Sequence, residues 1–188
     1  MSDLSGSDSG RYDAVAITLH WVTAAAILGL LMAGFVMTSL KPGSALQFQL
    51  YQWHKSVGIT VAALALLRLA WRLRHRPPPL PGSMPRHEQL VAHLGHWALY
   101  ALMLGLPLAG WAVVSTSPYN IPTILYGVVS LPHLPLPREA NALAKLAHMT
   151  GAWILIVTLV GHVGAALRHH LVLRDAVMVR MLPRFRRD

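Results

Sequence analysis

Long uncharged apolar runs alternate with short polar breaks along this chain. No Asp, Glu, Lys or Arg occurs from Ala14 to Leu40, from Gln89 to Pro137, or from Leu146 to Leu167. A fourth run, about Leu50 to Trp71, carries only Lys55 near its start and Arg68 near its end, where long cationic side chains can snorkel to the interface. A hydrocarbon core about 30 Å thick takes about 20 helical residues to cross. The pattern therefore predicts four transmembrane helices, about 14–39, 50–73, 89–115 and 143–168. Lys41-Pro42-Gly43 ends the first. Pro77-Pro78-Pro79 and Pro81-Gly82 form a stiff loop after the second. Five prolines between Pro118 and Pro137 rule out a continuous helix there, so 116–142 reads as a long, partly apolar surface loop. The first run lacks a basic leader and a cleavage site and reads as a span rather than a signal peptide.

The expected architecture is all-α: one integral membrane four-helix bundle over 1–188, with a flexible N-terminal tail (1–10) and a basic cytoplasmic tail (171–188). An even helix count puts both termini on one side. That side receives Arg11, arginines 68, 72, 74, 76 and 86, and tail arginines 168, 174, 180, 184, 186 and 187. The other side receives Lys41, Lys55, Arg138 and Lys145. Positive residues favour the cytoplasm, so both termini are expected there. The basic tail reads as topology and anionic-lipid contact. It is juxtamembrane and lacks a nucleic-acid-binding fold, so no nucleic-acid partner is expected.

Composition narrows the chemistry. The chain is 54% hydrophobic and 12% charged, with no cysteine and eleven histidines. Disulfides, thiolate metal sites, iron–sulfur clusters and covalent haem attachment are excluded. Four histidines fall at two depths. His20, early in helix one, and His162, late in helix four, lie near the arginine-rich side. His54, early in helix two, and His148, early in helix four, lie near the other. His148 and His162 are fourteen residues apart, close to four turns, so they share a face about 21 Å apart along the axis. One helix thus offers two inward imidazoles, each with a partner from another helix. A six-coordinate haem iron requires two such facing imidazoles. Glycines 58, 151, 161 and 164 leave room for a flat ring, although they also serve helix packing. Polar packing explains any single histidine. Zinc or copper would use histidine pairs too, but a stable zinc site wants four ligands.

His93 and His96, one turn apart at the start of helix three, are candidates for propionate or ligand contacts and equally for interfacial residues. His169 follows His162 on the same face and suits proton delivery, with Arg168 beside it. His170 follows at once. Arg68, Arg72 and Arg74 are propionate candidates. His75, His87 and His133 read as loop residues without a role.

Several stretches carry a resemblance: Arg11-Tyr12, Leu19-His20-Trp21, His54-Lys55-Ser56-Val57-Gly58, Ala92-His93-Leu94-Gly95-His96, His148 with Gly151-Ala152, and His162 with Ala165-Ala166-Leu167 and His169-His170. In this order they resemble the bacterial cytochrome b561 family of four-helix di-haem membrane proteins, over nearly the whole chain. The resemblance implies two haem b groups, one on His20 and His162 and one on His54 and His148. Ala147 departs from the Trp often found before the helix-four outer histidine. Some members resemble superoxide oxidases, which implies superoxide as donor on the outer side and ubiquinone as acceptor within the membrane. Lys41, Lys55, Arg138 and Lys145, against Glu139, would then steer a small anion. The quinone is expected beside the inner haem, served by His169, Arg168, His96 or His93. Two rivals stand: an electron-relay subunit for a soluble dehydrogenase or reductase, and a haem-free transporter or structural bundle. No G-x-G-x-x-G supplies a nucleotide site, so electrons must come from a partner or a small molecule. Transporters usually carry more helices and internal repeats.

Overall fold

A computed structural model describes residues 10–82 and 84–183. Four helices, each long and apolar enough to cross a membrane, make up most of it: α1 (Ala14–Ser39), α2 (Ala45–Arg74), α3 (Arg86–Ser115) and α4 (Asn141–Leu167). They run up and down. One end of the bundle gathers the chain around Arg11 and around Met181 with most of the described arginines, and will be called the arginine end.

Local chemistry fixes the helix ends. Asp13 caps α1 by accepting from the Ala16 N–H at 2.9 Å. The same carboxylate accepts from the Trp71 indole at 3.1 Å and so ties α1 to the end of α2. α2 begins at Ala45, earlier than its apolar pattern suggests. Ser44 caps it, and Gln47 clamps the preceding turn by bonding the Gly43 N–H and the Met37 carbonyl. That turn needs Gly43, whose φ of 77° suits a residue without Cβ. α3 begins at Arg86, directly after Pro85, and continues through Pro107.

α1 packs on α2, α2 on α3, and α3 on α4. α1 and α4 meet through side chains, at His20 with His162 and at Phe35 with Trp153. The fully buried core is small: Ile27, Val61, Ala65, Tyr100, Met103 and Leu155. Thr23, Ser56 and Thr116 are also buried, and each hydroxyl returns to a carbonyl four residues earlier. Large apolar side chains such as Leu28, Met32, Phe35, Val157 and Val160 face outward. This inside-out distribution fits a bundle solvated by lipid.

One segment corrects the sequence reading, and a second adds to it. Residues 116–142 are not a surface loop throughout. They contain an antiparallel hairpin, β1 (Thr123–Leu125) with β2 (Val129–Leu131), folded against α2, and then a short 3₁₀ turn at Arg138–Ala140. Proline excludes helix, but it does not exclude short strands lying between prolines. The second segment is the expected basic tail. α4 continues into a π-helical turn, Arg168–Leu173, which stops at Arg174 in the left-handed conformation. The chain then folds back on α1. The Leu182 carbonyl accepts from Arg11 at 2.6 Å, and the Met181 carbonyl accepts from the Trp21 indole at 2.8 Å. The tail is therefore packed up to Pro183. The expected flexible tail, apart from Gly10, and Arg184, Arg186 and Arg187 lie outside the described residues.

Candidate functional site

α4 carries His148 and His162 on one face, and each meets a histidine from another helix. The ring centres of His20 and His162 are 6.2 Å apart. Those of His54 and His148 are also 6.2 Å apart. A metal–imidazole bond of about 2.0 Å, with the nitrogen about 1.1 Å from its ring centre, puts two axial rings about 6 Å apart. Both pairs therefore have the separation that a metal held from two sides requires. Among the described residues, no three or more His, Asp or Glu side chains gather as a metal-binding group, so the two-histidine arrangement stands by itself.

The pair at the hairpin end opens on an apolar cavity of about 220 Å³. Leu30, Leu31, Leu102, Leu106 and Leu155 line it, and the glycines 58 and 110 leave it wide. His148 donates from Nδ1 to the Leu106 carbonyl at 3.0 Å. That bond fixes the tautomer and leaves Nε2 with a free lone pair. His54 Nδ1 is buried with no hydrogen-bond partner. Gly110 lets His148 come close, because a Cβ on it would lie 3.2 Å from His148 Cε1 and press on the ring.

The pair at the arginine end is surrounded differently. A cavity of about 300 Å³ lies beside it, lined by Arg11, Arg68, Arg72, Arg76, His96 and Tyr100, among others. Arg68 stacks over the Tyr100 ring at 5.7 Å and donates to His20 Nδ1 at 2.9 Å. Guanidinium has no acceptor, so His20 carries its proton on Nε2 while this contact lasts. His96 donates from Nδ1 to the Ala92 carbonyl and turns its ring to His162, with centres 5.3 Å apart.

Next to this pair lies a third histidine centre. His169 is 7% exposed. Its Nδ1 meets the Asp175 carboxylate at 2.5 Å, and its Nε2 lies 4.0 Å from Glu88. Arg168 bonds the other Glu88 oxygen at 3.3 Å. The π-helical turn and the left-handed Arg174 bring Asp175 back beneath its own helix. Slight burial pushes the Asp175 carboxyl up, but the Val177 N–H, His169 and Arg180 outweigh it and hold it below the usual value.

The structure brings together His20 with His162, His54 with His148, and Arg68, Arg72 and His96 around the arginine-end cavity. It does not bring in His93, which is exposed and bonds the Gln89 carbonyl, nor the exposed Arg74. Lys41, Arg138 and Lys145 are exposed and scattered. Lys55 lines the hairpin-end cavity and is held by the Pro122 carbonyl at 2.9 Å. Sequence reasoning missed His75, which stacks on Trp71 at 3.9 Å and lines the arginine-end cavity with Tyr12 and Asp13. The spacing of Trp71 and His75, one helical turn, was the available signal. It also missed Asp175 and Glu88, whose approach to His169 depends on a fold-back with no sequence pattern of its own.

The family model described as prokaryotic cytochrome b561 matches residues 11–184. The chain belongs to this family. It is similar to cytochrome b561 homolog 2 of Escherichia coli (strain K12), 31% identical over 174 residues that cover 92% of this chain and 91% of the relative. Cytochrome b561 homolog 1 of the same organism is 30% identical over 174 residues, covering 93% and 98%. A probable superoxide oxidase CybB of Yersinia pestis is 28% identical over 189 residues, covering 94% and 98%. As a cytochrome b561 it is a multi-pass bacterial membrane protein of electron transfer that binds haem b.

Proposed function

We propose that this cytochrome b561 holds two haem b groups, His20 with His162 and His54 with His148 as their axial ligands, and passes electrons between them across the membrane. The observation that carries the reading is the pair of 6.2 Å ring separations, built from three helices at two levels of α4. We place the protein in the bacterial inner membrane with the arginine end in the cytoplasm, on the bias of positive residues.

The overall reaction we assign is superoxide oxidation coupled to ubiquinone reduction. Two superoxide anions each lose one electron and leave as dioxygen. Ubiquinone takes the two electrons and two protons and becomes ubiquinol. Haem supplies one-electron transfer when bound. The chain's own residues do the rest. The leucines of the hairpin-end cavity exclude water. The Leu106 carbonyl orients His148. Lys41, Lys55, Arg138 and Lys145 give the outer surface a positive bias that draws in small anions. At the arginine end, Arg68 must leave His20 before that imidazole offers Nε2 to a metal. Its charge, with that of Arg72, then suits a propionate carboxylate. Protons for the quinone come through His169, which Asp175 holds on one side and Glu88 approaches on the other. His96 and Arg168 line the same neighbourhood.

The test uses detergent-purified protein in liposomes with ubiquinone and a superoxide generator. Expected are two b-type haems per chain, rapid haem reduction by superoxide and quinol formation without any added protein. Quinol formation only after a soluble dehydrogenase is added would favour the relay reading. Purification without haem, from cells supplied with it, would overturn both.

A further inference from the structure

The hairpin between α3 and α4 is built against α2 rather than against water. Strand β1 follows the α2 axis inward. Gln52 and Lys55 both donate to the Pro122 carbonyl, at 3.3 and 2.9 Å. The Tyr126 N–H donates to Ser56 Oγ at 3.0 Å. The Tyr126 hydroxyl reaches Thr60 Oγ1 at 2.6 Å, and its ring packs edge-on against Trp53 at 5.7 Å. From Pro122 to Tyr126 the hydrogen-bonded contacts move along α2 from Gln52 and Lys55 through Ser56 to Thr60, about two helical turns.

That helix provides a depth scale. Arg72, near its end, belongs to the arginine end of the bundle. Twenty residues, about 30 Å of hydrocarbon, carry the span back to Gln52. On this scale Ser56 lies about 6 Å inside the boundary and Thr60 about 12 Å inside. The hairpin tip therefore sits at membrane depth on the outside of the bundle.

Its surface suits that place. Val128 is 82% exposed, Val129 53% and Tyr126 50%. From Ser117 to Pro137 there is no Asp, Glu, Lys or Arg. Water would leave this tip as an unexplained apolar patch. The turn is also strained in a directed way. Tyr126 and Gly127 both have positive φ, 50° and 76°, the signature of a tight hairpin turn. Glycine takes that conformation without cost, whereas Tyr126 is held in it by its bonds to Ser56 and Thr60. Strands of three residues leave few unpaired edge groups, which limits the cost of entering lipid.

We propose that the β1–β2 hairpin is a membrane-inserted element. Its tip, Tyr126–Val129, contacts the acyl chains of the leaflet at the hairpin end, and β1 closes the side of the cavity beside His54. Thr123, on β1, lines that cavity together with Lys55. The occupant of the exposed face is lipid, because the tip lies at membrane depth on that scale and the Tyr126 ring continues onto Trp53, an outward-facing α2 residue 58% exposed.

The absence of cysteine makes the test direct, since Val128→Cys introduces one thiol. A nitroxide attached there, in the holoprotein in lipid nanodiscs, is scored for collision with oxygen and with a water-soluble nickel chelate. Val157→Cys, on the outward face of α4, is the lipid reference, and Lys41→Cys is the water reference. Expected is nickel accessibility about tenfold below Lys41→Cys, with an oxygen-to-nickel ratio like that of Val157→Cys. Nickel accessibility equal to Lys41→Cys would overturn the proposal. So would spin–spin broadening that persists on dilution with lipid, because a second copy would then cover the tip. Val129→Cys repeats the measurement should Val128→Cys fail to retain haem.

Discussion

The two histidine pairs share one ring separation, 6.2 Å, and differ in nearly everything around it. At the hairpin end the neighbours are leucines and glycines, with a backbone carbonyl to orient His148. At the arginine end four guanidinium-bearing side chains line the adjoining cavity, and one of them bonds a histidine directly. The spacing of the two levels is set by α4, whose regular rise presents both histidines on one face. Electrostatics is set by where the helices end, because charge is tolerated only near water. Two histidine pairs of the same spacing therefore meet an aliphatic wall at one end and a cationic one at the other. Added electrons are favoured near positive charge, so the expected flow runs from the hairpin end to the arginine end.

Removing a ligand should have the largest effect. His148→Ala is expected to lose the hairpin-end haem and keep the other, and His162→Ala to do the reverse. A pyridine haemochrome count should fall from two per chain to one in each case. Loss of both haems in either variant would show that the two pairs are not independent sites.

Crowding one pair should come next. Gly110→Val places side-chain atoms against His148, where even a Cβ would stand 3.2 Å from the ring. Haem binding at the hairpin end should weaken about tenfold, near the low end of the cost of overpacking. The arginine-end spectrum should not change. A haem titration of the apoprotein resolves the two.

Removing a charge should act on the other side. Arg68→Gln should lower the midpoint of the arginine-end haem by about 60 mV, which is a tenfold change for a one-electron couple. The hairpin-end midpoint should stay fixed. A redox titration that finds both midpoints moved equally would break the contrast between the two surroundings.

A smaller effect concerns pH. Asp13 and Asp175 both have carboxyls held below their ordinary value of 3.8. For Asp13, slight burial raises it, while the Ala16 N–H and the Trp71 indole outweigh that. A carboxyl depressed in the folded state adds stability above its unfolded pKa. That stability is lost as pH falls through the folded pKa. Thermal melts in detergent should therefore lose stability below about pH 4, and Asp175→Asn should flatten that loss. The smallest effect belongs to Lys55→Gln. Lys55 is tied to the hairpin, so the salt dependence of superoxide-driven haem reduction should weaken only about twofold.

How much of this was legible beforehand differs from residue to residue. α1 could be read to its ends, because an uncharged run flanked by Asp13 and Lys41 leaves the boundaries little freedom. The start of α2 could not be read, since Ser44 and Gln47 lie outside the apolar pattern and act through capping. His148 and His162 announced their shared face by a spacing of fourteen residues. The sequence reads His75 as a loop residue without a role and His93 as a candidate contact, and the structure places them the other way round. Packing decides this: both are exposed, but His75 stacks on Trp71 and lines the arginine-end cavity, while His93 does neither.

By itself the sequence determined the four spans, the crowding of arginines at one end and the two levels of histidine. Those features follow from hydrocarbon thickness and helical rise, which act on each segment locally. Tertiary structure alone decided the rest. How closely the paired histidines approach, and what surrounds each pair, depends on how the helices pack. Arg68 reaches His20, and Asp175 reaches His169, through contacts between segments far apart in sequence or across a chain reversal. The hairpin's seat on α2 rests on Ser56, Thr60 and Tyr126, about 70 residues apart, and no local pattern records such a meeting.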